Sequence, residues 1–349
     1  MGSMEGRESD VIIATPSTPT DGEDMGKSLY WSTLKMYEEC PQKCLWQRGY
    51  GDIDLGAGPG RPKPLDAPPR SEHHLLMGCV IADVMERLYN DELWRHPKTL
   101  KESLANLVDT YFQMELEKRY INWNECTMDE LKQICLDGVL NYISTMKHNK
   151  LLGEYAKAEV NLRSQINKWN PVGGRADLII RREDTGITIY DGKNSKHIGK
   201  YTDPDQLRWY AMCFYLAYNQ IPDRLAFIYF RYPYGSPSED WAKENPGADW
   251  SGLVFVDFNK EDLKAIAARA VKVGKGMWKQ QFDPTPTPKV CRFCDFEDVC
   301  EARQKQKKAN SRKYWASRRK KKPLEVEKEL NNKTENSEPT VFFGFDGIK

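Results

Sequence analysis

Two apolar strand segments joined by a tight turn constrain the fold of this 349-residue chain more than any other part of it. The first segment spans residues 173–182 and begins with two glycines, the turn lies at 184–186, and the second segment spans 187–191. The apolar run at 178–180 and the β-branched residues at 187–189, separated by a turn signal, predict two paired strands. A helix with one apolar face is predicted directly afterwards, over 206–218. We therefore expect an α/β fold in which helices cover a sheet.

Acidic and basic residues occupy fixed positions on these two strands. Asp177 lies within the first, and Asp191-Gly192-Lys193 ends the second. Because residues i and i+2 of a strand project to the same side, we expect Asp191 and Lys193 to point together, with Asp177 facing them. Two carboxylates and a backbone carbonyl suit Mg²⁺ or Mn²⁺. A lysine beside them would orient an attacking water or stabilise charge on a phosphate, as phosphodiester hydrolysis requires.

The order and spacing of these residues resemble the PD-(D/E)XK nuclease superfamily. Asp177 corresponds to its first motif acid, and Asp191-Gly192-Lys193 corresponds to its D-x-K element. The resemblance implies a core like that of restriction endonucleases, with a mixed central sheet flanked by helices. It also implies that Asp177, Asp191 and the Gly192 carbonyl bind the metal ion. Lys193 would then position the attacking water.

The RecB-like branch of this superfamily has two further motifs, and both have counterparts here. Gln206 and Tyr210 match its Q-x-x-x-Y motif, whose side chains would help to place the substrate strand. In its upstream G-x-x-x-H-x-x-x-E motif, the glutamate is kept as Glu86, but the metal-ligating histidine is replaced by Ala82. Glu86 is therefore a candidate metal ligand, and Glu159 is a weaker one. Ala82 is an altered family position, either natural or introduced.

Nine cysteines in a chain with no evident secretory signal favour metal or cluster ligation over disulfides. Three lie close together, in the spacing Cys291-x₂-Cys294-x₅-Cys300. A fourth ligand must come from elsewhere, with Cys40 as the first candidate and Cys44 as the second. Nucleases of the AddB and CRISPR-adaptation types have a similar pattern, which implies a [4Fe–4S] cluster that ties the N-terminal and C-terminal segments together. A four-cysteine zinc site is the alternative.

Basic residues around the predicted strands suit a polyanionic substrate. Arg175, Lys196 and Lys200 are predicted to contact DNA phosphates. Residues 303–322 contain no acidic residue, and an aromatic motif follows at 341–346. We expect this tail to contact DNA and to dock a partner such as a sliding clamp, a single-strand-binding protein or a helicase.

The domain organisation follows from changes in composition along the chain. We predict a disordered leader at 1–27, a RecB-like nuclease domain at 28–302 and a basic, largely disordered tail at 303–349. The nuclease domain is expected to contain a helical part at 74–150, a catalytic core at 155–282 and a cysteine cluster at 289–302 that closes onto Cys40. No apolar run is long enough for a membrane span. We expect an intracellular protein that is not secreted, located in the cytoplasm if it is prokaryotic or viral, with the nucleus as an option if it is eukaryotic.

Three functions are compatible with these residues. The first is a metal-dependent DNA exonuclease that prefers single-stranded ends and acts in recombination, replication or end processing. The second is a catalytically degenerate DNA-end-binding subunit that works with a helicase or clamp. Ala82 favours this second function, whereas the retained Asp177, Asp191 and Lys193 favour the first. The third is a structure-specific endonuclease, which would use the same site on a different substrate geometry.

Overall fold

A mixed β-sheet forms the centre of this computed structural model, which describes residues 28–48, 71–124, 126–153, 155–167, 170–195, 197–199, 202–314 and 316. Within those residues the strands are β1 (Leu29–Tyr30), β2 (Ala156–Asn167), β3 (Asn170–Arg182), β4 (Gly186–Lys193), β5 (Arg224–Tyr229) and β6 (Leu253–Phe255). Their order is β1-β3-β4-β5-β6, and β2 also pairs with β3. The β1–β3 and β4–β5 pairs are parallel, and the other pairs are antiparallel. The expected mixed α/β architecture is confirmed.

Helices cover both faces of the sheet. They are α1 (Trp31–Glu39), α2 (Pro41–Arg48), α3 (His73–Asn90), α4 (Leu100–Leu116), α5 (Met128–His148), α6 (Pro204–Tyr218), α7 (Glu239–Glu244), α8 (Lys260–Trp278) and α9 (Pro288–Cys291), with a 3₁₀ turn at Leu93–Arg95. Helix α4 ends at Leu116, and just beyond it the Lys118 and Arg119 amides bond three residues back in a tighter turn. In the described part of the chain, no helix is long and apolar enough to span a bilayer.

Several predicted segments lie outside the described residues. They are the leader at 1–27, the DNA-contact candidates Lys196 and Lys200, and the distal tail from 317 with its aromatic motif. The beginning of the tail is described, and residues 301–314 are helical.

Two apolar cores lie on opposite faces of the sheet, and alternation along β3 divides its side chains between them. Leu178 and Ile180 pack against α3, α4 and α5, whereas Ile179 packs with α6 and α8 on the other face. This alternation is the geometry of a strand buried on both sides. Helices α3, α4 and α5 therefore form a layer against β3 and β4, the strands that carry Asp177 and Asp191.

Helix α6 is fixed against β3 by its capping residue and by a buried tryptophan. The Asp203 side chain accepts a hydrogen bond from the Asp205 amide, so the helix begins at Pro204. One turn further on, the Trp209 indole donates to the Gly173 carbonyl at 3.0 Å. A Cβ atom at Gly174 would lie 2.9 Å from the Tyr210 ring, so the glycine allows this close approach. The helix is thereby held beside the ends of β3 and β4.

Candidate active site

The two acidic residues predicted on β3 and β4 lie side by side in the structure. Leu178 pairs with Tyr190, and the same antiparallel register brings Asp177 opposite Asp191. Asp191 is only 3% exposed, and the Gly192 amide donates a hydrogen bond to Asp177 Oδ2 at 2.7 Å. Burial and then the Asp191 charge raise the pKa of Asp177 well above its usual range. The buried Asp191 and the half-buried Asp177 carboxylates form a site whose negative charge a cation would neutralise.

Lys193 and Gln206 complete a hydrogen-bonded network around Asp191. The Lys193 ammonium forms an ion pair with Asp191 Oδ2 and donates to Gln206 Oε1 at 2.9 Å. The Gln206 amide nitrogen donates to Asp191 Oδ1 at 2.8 Å and to the Tyr210 hydroxyl at 3.1 Å. Burial raises the pKa of Asp191, and the neighbouring Lys193 opposes that shift. The D-x-K and Q-x-x-x-Y residues therefore form one contiguous group.

The glycine between Asp191 and Lys193 has a steric role. A Cβ atom at position 192 would lie 2.9 Å from Phe230 Cε1 and 3.4 Å from Asp177 Oδ2. The Phe230 ring belongs to the core beneath α3 and α5, so a side chain at position 192 would press on that core and on the carboxylate. Glycine at position 192 therefore lets β4 pass close to the Phe230 ring and the Asp177 carboxylate.

Arg175, predicted to bind DNA, lies between two glutamates. It forms an ion pair with Glu159 and contacts Glu86 Oε2 at 3.4 Å. The β2–β3 register places Glu159 opposite Asp177, and its backbone has the unusual φ of 51°. Burial, augmented by the charges of Glu86 and Asp83 and opposed by Arg175, raises the pKa of Glu159 to about 7. Glu159 thus lies among the acidic side chains beside Asp177.

The altered family position lies on the same face of α3 as Glu86. Ala82 precedes Glu86 by one helical turn and is half-buried. Beside it, burial and the charges of Glu115 and Glu86 raise the pKa of Asp83. A methyl group therefore stands at this acidic surface, one helical turn before Glu86.

The described residues contain no preformed group of three or more histidine, cysteine or carboxylate side chains that could hold a metal ion. Glu86 points to Arg175 and does not join Asp177 and Asp191 in such a group. The oxygen donors that suit a divalent cation are instead the carboxylate pair together with the backbone at Gly192.

Four cysteines from the two ends of the described chain line one cavity near α2 and α9. They are Cys40, Cys291, Cys294 and Cys300. Burial raises the pKa of Cys294, and the neighbouring Cys40 and Cys291 raise it further. Cys44 does not line this cavity; its thiol donates to the Thr33 carbonyl at 3.8 Å, and burial raises its pKa to about 11. Of the two N-terminal candidates, Cys40 is the one that faces the C-terminal cysteines.

Comparison with known proteins gives a family match over most of the chain. A family model described as the PD-(D/E)XK nuclease superfamily matches residues 31–301. A solved structure titled "Crystal structure of SSO0001" aligns with 50% of this chain and 78% of its own chain, at 17% identity and a TM-score of 0.30. No curated protein matches the sequence.

Proposed function

The chain belongs to the PD-(D/E)XK nuclease superfamily, and we propose that it is a metal-dependent DNA exonuclease that prefers single-stranded ends. One observation carries this proposal: Asp177, Asp191 and Lys193, on two adjacent strands, meet Gln206 and Tyr210 of α6 in a single network. Family membership supports cleavage of a nucleic acid. The choice of DNA ends, and a place in recombination, replication or end processing, remain parts of the proposal.

Asp177, Asp191 and the Gly192 carbonyl would hold the Mg²⁺ or Mn²⁺ ion. When bound, the cation supplies Lewis-acid stabilisation of charge on the scissile phosphate. The Lys193 ammonium lies against Asp191 and Gln206, where it would orient the attacking water and stabilise developing negative charge. Gln206 fixes the Asp191 carboxylate, and with Tyr210 it would place the substrate strand.

The cysteine cavity would hold a [4Fe–4S] cluster through Cys40, Cys291, Cys294 and Cys300. The four cysteines line one cavity, which supports all-cysteine ligation, but as placed they are not a preformed metal-binding group. The alternative zinc site would use the same four thiols. Cys40 and Cys291 are 251 positions apart in the sequence, so a group bound between them would close a very long loop. Such a cross-link restrains the unfolded chain strongly.

A comparison of linear and circular DNA tests the preference for ends. We expect the protein to degrade linear single-stranded DNA in Mg²⁺ or Mn²⁺ and to leave a circular single strand of the same sequence intact. Duplex DNA with blunt ends should be degraded more slowly, because its base pairs must open before an enzyme that prefers single-stranded ends can bind them. The readout is the product ladder from DNA labelled at either end. Equal cleavage of the circle would replace the exonuclease proposal with the endonuclease alternative.

Ala82 supports a second candidate, a DNA-end-binding subunit with a degenerate site. The methyl group at this position cannot ligate a metal ion, and the described residues offer no preformed group of three ligating side chains. This candidate predicts binding of DNA ends without cleavage in either metal ion.

A further inference from the structure

An arginine on α8 joins the segment that leads into Cys40 to the first turn of the catalytic helix α6. Arg269 Nε and Nη2 donate to the two carboxylate oxygens of Glu38, at 3.0 and 2.8 Å. Its remaining nitrogen, Nη1, donates to Asp205 Oδ2 at 2.5 Å. Glu38 lies two residues before Cys40, and Asp205 immediately precedes Gln206. One guanidinium on α8 therefore joins two other helices, α1 and α6.

The surroundings of Arg269 restrict its movement. Its guanidinium lies 5.3 Å from the centroid of the Trp31 ring, and Trp31 in turn packs against Trp209 of α6 at 6.1 Å. The Arg269 side chain is 30% exposed, so the bridge is partly shielded from solvent. A planar guanidinium bound by both oxygens of one carboxylate has a fixed orientation, which a single-point contact does not provide.

A second ion pair strengthens the same connection. Lys35 of α1 lies 3.1 Å from Asp203, the residue that caps α6. Asp203 bonds to the Asp205 amide through its side chain and to the Gln206 amide through its carbonyl. The Arg269–Asp205 and Lys35–Asp203 contacts therefore both lie at the start of α6, which sets the position of Gln206.

We propose that Arg269 is a positioning residue: by holding Asp205, it keeps Gln206 within reach of Asp191 and Lys193, and by holding Glu38 it makes that position depend on the order of the Cys40 segment. The catalytic part of this inference rests on the proposed nuclease function. The mechanical part does not, because it concerns only the contacts of Arg269 with α1 and α6.

Exchanging the charges of Glu38 and Arg269 distinguishes two roles for Arg269. It either positions α6 or only links α1 to α8. In the double variant Glu38→Arg with Arg269→Glu, the α1–α8 ion pair is restored with reversed sign. The same exchange places a carboxylate beside Asp205, so the contact with α6 is lost and replaced by repulsion. Arg269→Lys keeps the charge but cannot hold two carboxylates in the observed fork geometry. Lys264→Met is the matched control, because Lys264 is 78% exposed on the same helix.

Hydrogen–deuterium exchange on the full chain reads this out directly. We expect Arg269→Met to increase amide exchange of residues 205–208 and of α1 about tenfold, and Arg269→Lys to give an intermediate increase. The charge-exchange variant should restore protection in α1, while the amides of residues 205–208 should still exchange rapidly. Lys264→Met should exchange like the wild type. In DNA cleavage, Arg269→Met should lower kcat about tenfold and change KM less than about twofold.

Two results would overturn the inference. One is unchanged exchange at residues 205–208 in Arg269→Met or, if that variant does not fold, in Arg269→Lys. The other is full recovery of protection at these residues in the charge-exchange variant, which would show a tie between α1 and α8 alone. If the wild type does not cleave DNA, the proposed function fails, but the exchange data still decide whether Arg269 positions α6.

Discussion

Replacing Lys193 by methionine is expected to lower the rate of DNA cleavage by about 10²–10⁴-fold while the protein remains folded. The ammonium group is the cation that contacts both Asp191 and Gln206, and methionine retains the length of the side chain without its charge. Without that charge, the buried Asp191 carboxyl would have a still higher pKa, since Lys193 now opposes the effect of burial. Single-turnover cleavage of end-labelled single-stranded DNA in Mg²⁺ measures the loss.

Two controls show whether this loss is chemical. Lys264→Met removes an exposed lysine on α8 and should cleave like the wild type. DNA affinity of the Lys193 variant, measured in Ca²⁺, should stay within about threefold of the wild type, because one phosphate contact contributes little of the total affinity. Cleavage by Lys193→Met at more than a tenth of the wild-type rate would refute the role given to this residue.

The second large effect is expected at the cysteine cavity. Cys300→Ser should abolish iron binding and lower the free energy of unfolding by about 3–5 kcal/mol, because the cross-link between the chain ends is lost. Protein prepared without oxygen would be assayed for iron and sulfide and then melted. We expect iron and sulfide in the wild type and neither in the variant.

Two cysteines four residues apart provide the sharpest control for this prediction. Cys40 lines the cavity, whereas the Cys44 thiol faces the Thr33 carbonyl. Cys40→Ser should therefore lose the bound metal, and Cys44→Ser should retain it. The opposite pattern would make Cys44, and not Cys40, the fourth ligand. Zinc in the wild type, with no sulfide, would replace the cluster proposal with the four-cysteine zinc site.

The parts of the site that the sequence predicted depend on local geometry. Asp191 and Lys193 project together because they are two residues apart on one strand, and Gln206 and Tyr210 share a face because they are one helical turn apart. Asp177 lies on the adjoining strand of a hairpin whose turn is visible in the sequence. Alternation, helical periodicity and turn chemistry all act within a few residues, so a single sequence reveals them.

The contacts that the sequence did not predict all join distant segments. The Arg175–Glu86 pair spans 89 residues, and the Arg269–Glu38 pair spans 231. No local pattern encodes which carboxylate meets which guanidinium, because the packing of α3 on the sheet and of α1 on α8 decides it. For the same reason, the sequence predicted Arg175 as a DNA contact but did not reveal its two carboxylate partners, Glu159 and Glu86.

The choice between Cys40 and Cys44 combines both kinds of information. Helix α1 ends at Glu39, Cys40 has an extended backbone before Pro41, and α2 then begins. The residue before proline is biased away from the helical conformation, so this break follows from the sequence. The sequence does not show that the Cys40 thiol faces the C-terminal cysteines. That follows only from the packing of the segment around Cys40 against the segment around Cys291.

The most direct test of the central claim is a cleavage assay on end-labelled DNA in Mg²⁺, in Mn²⁺ and in EDTA, with the wild type, Lys193→Met and Ala82→His compared. The account predicts that the wild type cleaves only with a divalent metal, that Lys193→Met cleaves about 10²–10⁴-fold more slowly and that Ala82→His cleaves at least as fast as the wild type. Cleavage by Ala82→His alone would show that the residue at position 82 has inactivated the site. If none of the three proteins cleaves DNA while all bind its ends, the nuclease account is wrong and the end-binding subunit replaces it.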